Sequence, residues 1–236
     1  MIRRGSLWFA LALLASGPAH ASPSVYTNIF AFAAALPAGY TPVGFDALAS
    51  GTAISSGGAA EGVTFSYSFD GASLIVTDGT AGGGGGPYDT VSPANFIGTN
   101  DFDALLDGDS VTLGFASSHA IGLVIITVEQ PGESLLDGDI GLTARGATAL
   151  LDVDAVQTVL DDGSIVYFLG VIDPEASFTA ASLGTFGGGD AFSYTVDQIV
   201  ISAAAAAVPL PGSVLMAAIA LFTLAALWLR TRRGLR

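Results

Sequence analysis

Short apolar runs, separated every few residues by Gly, Asp or Ser, are the feature that most constrains the fold of this chain. Gly62–Phe69 alternates apolar and polar residues, which places Val63, Phe65, Tyr67 and Phe69 on one face. The other runs of this kind are Phe45–Leu48, Ser73–Thr77, Val111–Ala116, Ala120–Val128, Ala149–Val153, Ile165–Ile172, Ser177–Leu183 and Ala191–Ile201. Many short strands with turn residues between them predict an all-β antiparallel sandwich or barrel, and no segment indicates a βαβ unit.

One short helix and three similar turns complete the predicted architecture. The helix is expected within Tyr26–Leu36, an Ala- and Phe-rich stretch followed by Pro and Gly. The turns are Leu106–Asp109, Leu136–Asp139 and Leu160–Gly163, whose starts are 30 and 24 residues apart and therefore show no fixed period. Because Asp-Gly supplies the positive φ that a tight hairpin needs, we predict three hairpin turns rather than three calcium loops.

The charge is distributed very unevenly along the chain. Ser22–Ala207 holds all 21 acidic residues and a single cation, Arg145, so its formal net charge is −20. Such a surface repels nucleic acid and anionic lipid, and it favours solubility and the binding of cations. The chain has no Cys, which excludes disulfides and thiol chemistry.

The first 21 residues read as a secretory signal peptide. Arg3 and Arg4 give a positive start, Leu7–Ala15 gives a short apolar core, and Ala19 and Ala21 bracket His20 in a small-x-small cleavage pattern. We therefore predict export through the secretory machinery and cleavage after Ala21 by signal peptidase. The alternative, an uncleaved N-terminal anchor, is disfavoured by that cleavage pattern.

The last part of the chain has the composition of a membrane anchor. Ser213–Leu229 carries no charge, and its 17 residues span about 25 Å as a helix, slightly less than a hydrocarbon core. The residues assigned to the membrane and its cytoplasmic border are Val214, Leu229, Arg230, Arg232 and Arg233. Because cationic residues stay on the cytoplasmic side, the helix is predicted to cross the inner membrane with its C-terminus inside.

A Pro-bracketed motif precedes this apolar run. Pro209 and Pro211 lack backbone N–H groups, so Val208–Gly212 should be extended and accessible. The order of motif, apolar helix and Arg cluster in Val208–Arg236 resembles the PEP-CTERM class of bacterial sorting signals in its VPLPA variant. The chain has Leu210 where the name-giving motif has Glu, and Gly212 where the variant has Ala.

This resemblance implies a precursor that is processed within Val208–Gly212 by an exosortase, a membrane-embedded cysteine transpeptidase. The processing residues would be Val208, Pro209, Leu210, Pro211 and Gly212. The chain would then consist of a signal peptide (1–21), a surface or secreted domain (22–207) and a sorting signal (208–236). A permanent C-terminal membrane anchor is the alternative.

The body of the chain is similar to the jelly-roll-like domains that often precede such tails. The resemblance rests on the early Phe-rich helix, on GFDAL, which contains Asp46, on GTAI, EGVTFS and FLGVIDPEASF, and on FSYTVDQIVIS, which contains Asp197. It implies a sandwich whose first and last strands lie side by side, with a structural Ca²⁺ held there by Asp46 and Asp197. Calcium needs six or more oxygen ligands, so carbonyls and waters would complete the shell. The alternative is that Asp197 faces solvent beside a buried Ile199.

Three classes of function remain open for the domain. An exported, non-catalytic surface or matrix protein requires no pocket and fits the acidic composition. A carbohydrate-binding module acting on extracellular polysaccharide is the alternative, with an exposed aromatic cluster as its signature. The aromatic residues available for stacking on sugar are Tyr67, Tyr88, Tyr167 and Tyr194.

An enzyme is the least favoured class. His119 is the only His that remains after signal cleavage, and its surroundings show no nucleophile or metal-ligand spacing. A glycoside hydrolase with paired carboxylates stays open. The carboxylates considered for it are Asp101, Asp103, Asp152, Asp154, Asp161 and Asp162. In so acidic a chain, however, carboxylate pairs arise without catalysis.

Overall fold

The computed structural model describes residues 22–36, 39–82, 89–127, 135–186 and 192–202. The chain divides into two compact units, Met1–Ala204 and Ala205–Arg236, and all of the described residues lie in the first. The predicted signal peptide and sorting signal, with the cleavage, processing and membrane residues named above, lie outside the described residues. Within the described ranges, no helix combines the length and the apolar character that crossing a membrane requires.

The described residues form strands and one short helix, α1 (Ile29–Ala34). In chain order the strands are β1 (Ser24–Tyr26), β2 (Thr41–Val43), β3 (Ala53–Ile54), β4 (Gly58–Ala60), β5 (Val63–Tyr67), β6 (Leu74–Thr77), β7 (Phe96–Thr99), β8 (Leu105–Leu106), β9 (Ser110–Ser118), β10 (Ala120–Thr127), β11 (Ile140–Ala144), β12 (Ala147–Leu150), β13 (Thr158–Val159), β14 (Ile165–Ile172), β15 (Phe178–Thr185) and β16 (Ser193–Ile201). They pair into two sheets.

The larger sheet has the strand order β1-β14-β10-β16-β7-β6-β3, with β13 beside β14 and with β2 and β8 beside β16. The smaller sheet has the order β12-β11-β15-β9-β5-β4. The pairings between described strands are antiparallel. From β9 to β11 and from β14 to β16 the chain passes from one sheet to the other between successive strands, whereas β11–β12 and β13–β14 are hairpins within one sheet. These two antiparallel sheets confirm the all-β sandwich class that the sequence predicted.

Strand β10 lies at the centre of the larger sheet, paired along its length with β14 and β16. Its residues Ile121, Leu123 and Ile125 face the smaller sheet and belong to the main core. Val124 and Ile126 point to the opposite face and pack in a second apolar cluster. Burial on both faces explains why this strand is an unbroken apolar run rather than an alternating one.

The helix α1 covers part of the outer face of the larger sheet. The Asn28 side chain accepts a hydrogen bond from the backbone N–H of Ala31 at 2.9 Å and so caps the helix N-terminus. Phe32 is fully buried and lies over two glycines that pair across β10 and β14, Gly122 and Gly170. A Cβ atom at Gly170 would lie 2.6 Å from the Phe32 ring, so the absence of a side chain lets the helix approach the sheet.

Most of the long strands were predicted close to their observed positions, but two of the shorter predictions are wrong. Phe45–Leu48 is a turn closed by a 3.0 Å hydrogen bond from the Leu48 N–H to the Phe45 carbonyl. The run predicted at Ala149–Val153 begins and ends earlier, as β12. The predicted helix starts only at Ile29, because Tyr26 pairs in β1.

The three similar turns each contain a glycine at positive φ and an i to i+3 hydrogen bond, but only one of them joins paired strands. Leu160–Gly163 connects β13 to β14 as a hairpin. Leu106–Asp109 instead links β8 in the larger sheet to β9 in the smaller sheet, so the hairpin prediction is wrong there. The Asp109 carboxylate accepts the Leu106 N–H at 2.8 Å, and Asp139 accepts the Leu136 N–H at 2.6 Å.

Replacing Gly170 by Ala should lower the free energy of unfolding by about 1–3 kcal/mol, because the new methyl group would clash with the Phe32 ring and displace it. Gly184→Ala is the matched control, since its Cβ would meet Ser110 at an ordinary 3.5 Å in the same sandwich. Urea denaturation of both variants measures the difference. Equal stability of the two variants would show that the glycine pair does not seat the helix.

Candidate functional site

Asp197, one of the two predicted calcium ligands, is fully buried at an irregularity in strand β16. The pairing with β10 shifts there, since Val124 pairs with Gln198 and Ile125 pairs with Val196, which leaves Asp197 as the extra residue. Such a bulge re-aims one side chain away from the regular alternation. Asp197 therefore does not face solvent, and it points at a loop that precedes β7.

The loop in question, residues 91–95, is held by the carboxylates of Asp197 and Asp46. Oδ2 of Asp197 accepts the N–H groups of Val91 at 2.7 Å and Ser92 at 2.9 Å, and Oδ1 accepts the Ser92 hydroxyl. Oδ1 of Asp46 accepts the N–H groups of Ala94 and Asn95, both at 2.9 Å. We call Asp46, Asp197 and residues 91–95 the aspartate clamp.

Asp46 reaches this loop from the turn that follows β2. That strand pairs with β16, whereas the first strand of the described chain, β1, pairs with β14. Burial raises the pKa of Asp197, hydrogen bonds from Ser92 and Val91 oppose the shift, and the Asp46 charge adds to it. The two carboxylates contact the same loop, which is the geometric fact that relates them.

The clamp nevertheless gives both carboxylates a role that needs no cation. Three of their four oxygens accept hydrogen bonds from N–H or O–H groups. Across the described ranges, no group of three or more His, Cys, Asp or Glu side chains is placed to hold a metal. Both carboxylates therefore have a structural role of their own, and calcium at Asp46 and Asp197 stays a prediction.

Other carboxylates considered for catalysis also organise loops. Asp103 is fully buried, has positive φ, and accepts the Thr77 hydroxyl and the N–H of Gly82 at 2.6 Å. The exposed Asp162 accepts the N–H groups of Asp89 and Ser164, both at 2.8 Å. These side chains fix the backbone around them.

His119, the remaining histidine, lies in the β9–β10 turn beside Asp173. Its Nδ1 lies 2.8 Å from the Asp173 carbonyl oxygen, while Nε of Arg145 donates to Asp173 Oδ2 at 3.1 Å. Asp173 is buried and also accepts the N–H groups of Glu175 and Ala176. Burial acts to raise the pKa of Asp173, but these hydrogen bonds and the Arg145 charge outweigh it and lower that pKa. The cluster ties together three turns at one end of the sandwich.

The tyrosines considered for sugar stacking are mostly unavailable for it. Tyr167 and Tyr194 are buried in the core, and Tyr88 lies outside the described residues. Tyr67 is half-buried, stacks on Phe69 at 4.5 Å between ring centroids, and donates its hydroxyl to the Ile54 carbonyl at 2.6 Å. Sugar stacking on these tyrosines is therefore not what the geometry favours.

An open groove of about 310 Å³ lies on the outer face of the larger sheet, beside α1. Its rim carries two exposed aromatic side chains, Phe30 at 78% and Tyr40 at 38% exposure. The groove is lined by Ile29, Phe30, Ala33, Tyr40, Val91, Val124, Gln157, Thr158, Val166, Tyr167 and Phe168. This volume is at the lower end of the range for small-molecule sites, and the lining is mostly apolar.

Sequence reasoning did not predict this groove, because its walls come from four distant parts of the chain. Phe30 points away from the core although it is next to the buried Phe32, which the helical spacing could have indicated. The clamp places Val91 in the opposite wall. What the groove offers chemically is a preformed apolar surface, not a set of titratable groups.

No family model, no curated protein and no solved structure matches this chain.

Replacing Asp197 by Ala should lower the free energy of unfolding by about 3 kcal/mol, because two buried N–H groups and a hydroxyl lose their acceptor. Asp46→Ala is the matched control and should cost about 1 kcal/mol, since Asp46 is exposed. Thermal unfolding with 5–10 equivalents of Ca²⁺, roughly the excess that saturates a tight site, and with a chelator separates the two hypotheses. A Ca²⁺-dependent rise in Tm that both variants lose would favour calcium over the clamp.

Asp173 should contribute stability that depends on pH. Its lowered pKa means that the contribution is full above the ordinary value of 3.8 and is lost as the pH falls through the folded-state value. We expect Asp173→Asn to be less stable than the parent chain by about 1–2 kcal/mol near pH 7, with the difference closing as the pH is lowered below 3.8. Urea denaturation across this range measures it. A difference that does not change with pH would contradict the assignment.

Proposed function

We propose that the chain is an exported, non-catalytic surface or extracellular-matrix protein, delivered as a precursor and sorted by an exosortase-type system. In this proposal the β-sandwich has a jelly-roll topology and is the mature part. Support comes from the tripartite C-terminal sequence, the N-terminal signal pattern and the passage of the chain between the two sheets from β9 to β11 and from β14 to β16. The mature domain would stay at the cell surface or be secreted, in contact with extracellular polysaccharide.

The observation that carries the non-catalytic part is the way in which the aspartates are used. Asp103, Asp173 and Asp197 are buried, and each accepts backbone N–H groups from a neighbouring loop. A catalytic carboxylate instead needs a free oxygen directed into a cleft within reach of its substrate. The groove is lined mainly by aliphatic and aromatic side chains, and no carboxylate is among its lining residues.

Carbohydrate binding is the second candidate, and the exposed pair Phe30 and Tyr40 is the observation that favours it. Sugar rings also need several hydrogen-bonding groups around the aromatic surface. The lining residues with polar side chains are Tyr40, Gln157, Thr158 and Tyr167, and the Gln157 amide already accepts the Ile29 N–H and donates to two carbonyl oxygens. The groove therefore supports this candidate less well than the matrix role.

The intact mass of the protein recovered from its native host tests export and sorting together. We expect a chain that starts at Ser22 and ends within Val208–Gly212, with or without an attached group. A chain that runs from Ser22 to Arg236 in a host that processes other such substrates would contradict sorting and leave a permanent anchor. A chain that retains Met1–Ala21 would contradict signal cleavage as well.

A further inference from the structure

We propose that the groove beside α1 binds a single alkyl chain that carries a cationic head group. This assignment concerns the sandwich alone and does not depend on export or sorting. The groove is an open cavity of about 310 Å³, and its floor is formed by Val124, Val166 and Phe168. These side chains lie on the outer face of β10 and β14 and continue the second apolar cluster beyond the edge of the helix. Binding an alkyl chain against this apolar floor removes apolar surface of both the chain and the groove from water, which is favourable.

The walls are held in place before any ligand arrives. Val91 is fixed through its backbone N–H by the buried Asp197. On the other side, the Ile29 N–H donates to Oε1 of Gln157 at 3.0 Å, which ties the start of α1 to the segment before β13. The Gln157 Nε2 group donates to the carbonyl oxygens of Thr27 and Ala155 at 3.0 and 2.7 Å. A preformed site of this kind binds without the cost of ordering its walls.

The head-group assignment follows from the charges next to the groove. Asp89, two residues before Val91, accepts the Asp162 N–H at 2.9 Å, and Asp162 accepts the Asp89 N–H at 2.8 Å. Neither carboxylate lines the groove itself, but Asp162 follows the lining residue Thr158 by four residues, as Asp89 precedes Val91 by two. Burial acts to raise the pKa of Asp162, and hydrogen bonds from Asp89 and Ser164 outweigh it and lower that pKa. With a net charge of −20 over residues 22–207, the surface attracts cations and repels anionic amphiphiles.

Photolabelling of the full chain in native-host membranes tests the proposal. Three probes share one octyl chain with a diazirine and differ in the head group: trimethylammonium, sulfate or glucoside. Mass spectrometry then locates the label, and peptides elsewhere in the chain act as the internal reference. We expect the ammonium probe to label peptides containing Phe30, Tyr40 or Val91 about fivefold more than the sulfate probe at low salt. The ratio should shrink in high salt, because the head-group contribution is electrostatic.

Two variants separate the groove from general surface labelling. Ala33→Phe fills the groove from a half-buried position and should reduce labelling of these peptides about tenfold. Phe102→Ser removes another half-exposed aromatic side chain that does not line the groove, and it should leave the labelling unchanged. Asp89→Asn with Asp162→Asn keeps an acceptor oxygen at both positions and should remove the preference for the ammonium probe.

Some results would overturn the assignment. Equal labelling by the ammonium and sulfate probes at low salt would contradict the cationic head group. Strongest labelling by the glucoside probe, with competition by free sugar, would favour carbohydrate binding instead. Labelling that Ala33→Phe leaves unchanged would show that the chain does not enter the groove. Each of these outcomes is independent of where the chain is cleaved. The groove assignment can therefore fail while the sorting proposal holds, and the sorting proposal can fail while the groove assignment holds.

Discussion

The interaction on which this sandwich depends is an aspartate carboxylate that accepts backbone N–H groups from a loop. Connections between strands leave N–H groups without a strand partner, and burying such a group unpaired costs about 1–3 kcal/mol. Asp103 and Asp197 meet this requirement from buried positions for two segments of the β6–β7 connection, and Asp173 does so for the β14–β15 connection. The chain has no disulfide to restrain these connections. A high acidic content thus has a structural use inside the domain as well as an effect on its surface.

The same interaction connects the fold to the groove. Asp197 is aimed by a bulge in β16, and by holding residues 91 and 92 it positions the wall that faces α1. The helix is seated on the opposite side by Phe32 over Gly122 and Gly170. Between these two fixed elements, part of the apolar outer face of β10 and β14 stays open. The groove is therefore a consequence of how the sheet is covered, and its shape does not require a moving part.

The sequence was informative where burial produces a regular pattern. Continuous apolar runs located β10 and β14 because both faces of these strands are buried, and alternation located β5. It was uninformative where two or three residues pair, as in β3, β8 and β13, since so short a segment has no period. Phe45–Leu48 was assigned to a strand on its apolar residues, but Phe45 is buried from within a turn.

The candidate site could also be predicted only in part. The pairing of Asp46 and Asp197 was expected from a family resemblance, and the structure brings both to the same loop. The identity of their partners could not be predicted, because residues 91–95 are distant in sequence and the bulge that turns Asp197 inward leaves no mark in the residue pattern. The groove was missed for the same reason: its walls are assembled by tertiary contacts.

Residue-resolved amide hydrogen exchange of the native protein tests the central claim most directly. Val91, Ser92, Ala94 and Asn95 lie outside the strands, yet their N–H groups are bonded to Asp197 and Asp46. We predict that the Val91 and Ser92 amides exchange at least about a hundredfold more slowly than amides in exposed turns, because their opening requires the buried clamp to break. Exchange of these amides at the rate of exposed loop amides would contradict the account.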